Sequence, residues 1–164
     1  SASHLAGALF TNQAGIKMVH IPYKGGAPAI TDTISGQTPL SFSAFGVALP
    51  HIKTGKVVAL GVTGSTRSKL LPEVPTIEEA GNLKGYEMSI VYAVWAPAGV
   101  PQPIMNKLSK AIEQVVASNA FKEKVSSDGG EIMNLSNPTE SNAYFQKEMQ
   151  RLSKIVKEGN IKSD

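Results

Sequence analysis

The sequence predicts an α/β fold, a mostly parallel sheet flanked by helices. Three observations point there: helical periodicity alternates with short apolar runs, the connections are only a few residues long, and glycine or proline closes most elements. Leu5, Ala6, Leu9 and Phe10 recur at helical spacing, and Gly15 stands where that helix stops. Lys17-Met18-Val19-His20-Ile21 is short, apolar and closed by Pro22, which predicts a strand. A helix over 27–34 follows Gly25-Gly26 and stops at Gly36. Leu40-Ser41-Phe42-Ser43 alternates like a strand, a short helix over 47–53 ends at Gly55, and 57–62 reads as a buried strand. The order is therefore α-β-α-β-α-β.

Gly64, Pro72, Pro75, Gly81 and Gly85 make the next stretch turns and one short helix. Thr76 caps that helix and Glu79 stands three residues on, the spacing of a capping box. Residues 86–95 form the longest β-like run, broken by Ala96-Pro97-Ala98-Gly99-Val100-Pro101. An amphipathic helix over 103–118 carries Ile104, Leu108, Ala111, Ile112, Val115 and Val116 on one face. A shorter helix over 120–127, a strand over 131–135, and a last helix capped by Asn137 or Thr139 follow. Only three strands precede the turn-rich stretch, yet the tail supplies helices whose apolar faces need a cover. The expectation is a fragment of a larger protein, lacking its amino-terminal part.

Composition narrows the function. The 164 residues are 41% hydrophobic and 18% charged, the make-up of an ordinary globular protein. No run reaches the 18 or so apolar residues that a membrane helix needs. There is no cysteine, which excludes disulfides, thiolate metal sites and a cysteine nucleophile. The net charge of +3 is spread along the chain, against the concentrated basic patch of a nucleic-acid binder. No nucleic-acid partner is expected.

The turn His20-Ile21-Pro22-Tyr23-Lys24-Gly25-Gly26 leaves a predicted strand and opens a helix, where open α/β sheets take ligands. Gly25 and Gly26 let the backbone approach a bound group, the new helix offers free N–H groups to an anion, Lys24 adds a charge and Tyr23 a flat wall. A plain tight turn is the competing reading. Ser1, Ser3 and His4 open the first helix in a similar way: hydroxyls beside a helix start receive a carboxylate without an arginine, and the competing reading is a simple N-cap. Ser43, Ala44 and Phe45 stand at the next strand end and would wall the same cleft. His4, His20 and His51 lack an acidic partner at metal-ligand spacing, Glu78-Glu79 diverge around their helix, and no Gly-x-Ser-x-Gly elbow occurs. No catalytic residue, metal or cofactor is expected, and Arg67 reads as half of a structural ion pair.

Several runs resemble the substrate-binding receptors of tripartite tricarboxylate transporters, the Bug family. They are His20-Ile-Pro-Tyr-Lys-Gly-Gly-Ala-Pro-Ala29 with Gly36-Gln37, Gly55-Lys-Val-Val-Ala-Leu-Gly-Val-Thr63 with Arg67, and Leu71-Pro-Glu-Val-Pro-Thr-Ile-Glu-Glu-Ala-Gly81. Tyr86, Trp95 and Ala96-Pro-Ala-Gly-Val-Pro101 continue the likeness, with Leu108 and the Gly129 turn after them. The resemblance implies a periplasmic, two-lobed binding protein of the Venus-flytrap, type II kind. It implies residues 1–90 as the second lobe, and 91–164 as a crossing strand and helices that return to an incomplete first lobe. It implies a small carboxylate ligand held at helix starts, here Ser1, Ser3 and His4 with the Tyr23-Lys24-Gly25-Gly26 turn, and delivery to membrane permease subunits. It implies a signal peptide outside this chain. Thr38-Pro39 stands where the family commonly has an acidic residue, which removes a basis for amine recognition.

Two other classes stay open on sequence: the effector-sensing domain of a transcription regulator, which shares the two-lobed architecture, and a small α/β enzyme acting on a carboxylic acid. Uncovered apolar faces at 103–118 and 144–156 also predict dimerisation, segment swapping, or retention of the absent first-lobe part as a partner.

Overall fold

The computed structural model describes residues 1–133, 135, 137–159 and 161, and among them seven helices follow one another. Each begins and ends on a recognisable local signal. Helix α1 (Ala2–Ala14) starts on Ser1, whose Oγ accepts from His4 N at 3.3 Å. It ends at Gly15, whose φ of 65° is left-handed and costs glycine nothing. Helix α2 (Gly26–Ile34) follows Gly25, whose φ of 141° a side chain rarely adopts. Helix α3 (Phe45–Lys53) closes on Thr54, whose hydroxyl donates back to Pro50 O at 2.9 Å.

Helix α4 (Ile77–Gly81) has the capping box that its sequence spells: Glu79 N donates to Thr76 Oγ1, and Thr76 N donates to Glu79 Oε2. Helices α5 (Gln102–Ala117) and α6 (Asn119–Ser127) pack on each other, joined through Ser118, whose Oγ caps α6. Asn137 starts α7 (Pro138–Glu158) by accepting from Glu140 N at 2.9 Å.

The parallel sheet expected from the α-β alternation is not seen as paired strands among the described residues. Among the described residues the β structure is one parallel bridge between Val62 and Thr76. Val62 N donates to Pro75 O and Ile77 N to Val62 O, both at 2.9 Å, and Met88 N donates to Thr63 O at 2.8 Å. The segments 17–21, 40–43 and 86–95, and 57–61 before the bridge, are irregular. Apolar alternation marks a segment suited to a sheet, whereas a strand exists only where neighbouring backbone completes the hydrogen-bond ladder. The strand expected over 131–135 is irregular at 131–133; Asn134, within it, lies outside the described residues.

The chain divides into two compact units, Ser1–Ile90 with Ser153–Asp164, and Val91–Leu152. The first holds the buried core of Leu49, Val62, Leu71 and Val74, with Phe45, Ile52, Ala59 and Leu70 against it. Tyr86, 1% exposed, donates its hydroxyl to Ala6 O at 3.0 Å and meets Phe10 edge-on. In the second unit Trp95 stands edge-on to Phe145, ring centres 4.5 Å apart.

Candidate functional site

Within the first unit α2 packs on α3, and α1 touches the segments that precede them. His4, in the first turn of α1, stacks on His20, with ring centres 3.8 Å apart and planes 16° from parallel. His20 precedes by five residues the Gly25 that opens α2. Gly26, the first residue of α2, packs on Val47 in the first turn of α3; a Cβ at Gly26 would lie 3.3 Å from the valine side chain. Phe42, just ahead of α3, lies against Gly7 of α1 with the same clearance, so both glycines permit the close approach.

None of the three helices has an acidic residue in its first turn, and neither α2 nor α3 has a side-chain cap. The first N–H groups of α2 and α3 thus have no side-chain acceptor, at the positive ends of helix dipoles. Lys24, Gly25 and Gly26 are exposed, as are Ser1 and Ser3, while His4 is half-buried. Ser43 is half-buried too, yet its Oγ is fully covered and has no hydrogen-bond partner; no other buried side-chain nitrogen or oxygen among the described residues is left so. Ala44 is the exposed residue before α3 and Phe45 its first, turned into the core.

Two sequence expectations change. Tyr23 is no bare wall: its hydroxyl donates to Asp32 Oδ2 at 2.7 Å, tying the turn to the helix it opens. That hydrogen bond, ahead of burial and the carboxylate's charge, holds the phenol above its ordinary pKa. His20, expected in a strand, lies in an irregular segment, exposed and stacked on His4. Sequence reasoning missed this pairing because nothing local links positions 4 and 20. Arg67 makes the expected ion pair, to Glu79 at 2.8 Å, away from these helix starts in the sequence. The second unit has an open groove of about 450 Å³, lined by Gln102, Asn106, Lys110, Glu113 and Asn137, and none of the expected site residues borders it.

Residues 1–161 match the profile described as "Tripartite tricarboxylate transporter family receptor". The chain belongs to that receptor family. Among its relatives, the "UPF0065 protein in the TAR-I ttuE-ttuC' intergenic region" of Agrobacterium vitis is 35% identical over 160 residues, 96% of this chain and 46% of the relative. The receptor-family chain also superimposes on the periplasmic binding protein BugD with a TM-score of 0.88 at 33% identity, covering 100% of this chain and 55% of BugD. Rpa4515 of R. palustris, solved with adipate, gives 0.84 at 29% identity, covering 98% of this chain and 53% of that one. The fold is thus of the periplasmic-binding-protein kind. The chain spans about half the length of the proteins it matches.

Proposed function

We propose that this chain is the ligand-holding portion of a periplasmic solute receptor, which captures a small carboxylate and passes it to the permease subunits of a tripartite tricarboxylate-type transporter without covalent chemistry. The observation that carries the reading is the contact between the uncapped starts of α2 and α3, with the His4–His20 stack on the segment that leads into α2, in a chain of a receptor family. Open backbone N–H groups and hydroxyls solvate a carboxylate without a buried cation, which suits capture followed by release. The adipate bound to the related Rpa4515 is a carboxylate of that class.

In this reading Ser1–Ile90 belongs to the second lobe, and the chain from Val91 crosses toward the first. Ser3, His4, Lys24, Gly25 and Gly26 are the second lobe's share of the cleft, with Ser1 holding the end of α1 in place. The exposed apolar side chains of the α5 face pack against first-lobe residues outside this span.

The test is a thermal-shift screen against mono-, di- and tricarboxylates, with the matching amides as controls. A ligand at a hundredfold excess over Kd stabilises the folded state by about 2.7 kcal/mol. A saturable shift with acids, reduced in Lys24→Ala and absent with amides, is expected. A flat response to every acid would overturn the carboxylate assignment.

A further inference from the structure

We propose that Tyr23 and Asp32 are a positioning pair: their hydrogen bond sets the Lys24-Gly25-Gly26 turn in its ligand-holding shape before a ligand arrives. The role rests on the receptor reading above. The turn has little else to hold it. Lys24, Gly25 and Gly26 are exposed, and Gly25 has a φ of 141°. Outside the helices, no backbone hydrogen bond among the described residues involves 17–25. Glycine has the most conformational freedom to lose, so a Gly-Gly turn in water without such bonds samples many shapes.

One bond removes that freedom. The Tyr23 hydroxyl donates to Asp32 Oδ2 at 2.7 Å, across nine positions of the chain. Residues 26–32 of that span lie in α2, whose backbone is already fixed, so closing the ring restricts Lys24 and Gly25 and little else. Asp32 is itself a firm anchor. Its carbonyl oxygen accepts from Gln37 N at 2.9 Å, Thr38 N at 3.2 Å and Ser35 Oγ at 3.1 Å. The carboxylate as acceptor makes the phenol's bond charge-assisted and short. A ligand that binds one shape of a turn loses affinity in proportion to the fraction of molecules in other shapes. The pair raises the competent fraction without touching the ligand.

Tyr23→Phe, Asp32→Ala, Asp32→Asn and the double variant Tyr23→Phe/Asp32→Ala are compared with the unaltered chain. Titration calorimetry with adipate and with malate reads affinity, and thermal melting without ligand reads stability. Tyr23→Phe and Asp32→Ala are each expected to weaken binding about tenfold, while the ligand-free Tm stays within about 3 °C. The double variant is expected to bind no more weakly than either single one, because each breaks the same bond. Asp32→Asn keeps an acceptor oxygen for the phenol and is expected to restore most of the affinity. Losses that add in the double variant, or equal affinity in Tyr23→Phe and the unaltered chain, would overturn the positioning role and leave the receptor reading intact. A ligand-free Tm lowered by more than about 8 °C in both single variants would make the pair a contact of the fold and overturn the role as well. An unaltered chain that binds neither acid would remove the receptor reading, and this inference with it.

Discussion

The phenol of Tyr86 is buried in the first unit, with its hydroxyl on Ala6 O and its ring edge-on to Phe10. Burial pushes its pKa up to about 12 from the ordinary 10.0. Because the folded state holds the proton more tightly, this contribution to stability is fully present below about pH 10 and is lost as pH rises through about 12. Urea midpoints between pH 9 and 12 should fall for the unaltered chain and stay flatter for Tyr86→Phe. That variant should also lose about 1 kcal/mol at neutral pH, the worth of one buried hydrogen bond. Single residues were unevenly legible in the sequence. Ser1 as a cap follows from its place three residues before His4, whereas the partner of Arg67, Glu79, stands twelve residues on and was not named by the sequence. The partners of Tyr23, His20 and Tyr86 required the fold, because periodicity says that a side chain is covered and not by what.

Elements were more legible than residues, and helices far more than strands. Every predicted helix is present, because helix signals are local: the Ser1 cap, the Gly15 stop, and the Thr76–Glu79 pair all act within four residues. Sheet pairing is non-local, so the alternating runs at 17–21 and 86–95 mark apolar segments without fixing a ladder. The capping box of α4 bears on the core as well, since Thr76 is also the partner of Val62 in the parallel bridge. Thr76→Ala should cost about 1 kcal/mol, read as a lowered urea midpoint. The Thr76 backbone N–H, first, and then Arg67 hold the Glu79 carboxyl below its ordinary pKa. Its contribution is therefore present above about 4.5 and lost as pH falls through the depressed value, so Glu79→Gln should flatten the acid limb of the stability profile.

At the scale of the whole molecule, the large apolar side chains left in water dominate. Val19 is 86% exposed, Val58 80%, Tyr92 89% and Val94 77%, and all four lie in segments that the sequence marks as strands. Ile104, Leu108, Ile112 and Val115 line an exposed stripe on α5. Apolar faces of this extent promote association. Light scattering should detect concentration-dependent oligomers, which Val58→Lys and Val94→Lys should reduce; a single monomeric mass at every concentration would refute the expectation. The hydrogen bond from Tyr86 to Ala6 spans a separation of 80 residues. Closing so long a loop exacts chain entropy before any contact repays it, which places this bond late on the folding route. A contact absent from the transition state leaves the folding rate alone and governs how long the folded molecule survives, so removing the Tyr86 hydroxyl should shorten the lifetime of the first unit while it still folds at its former speed.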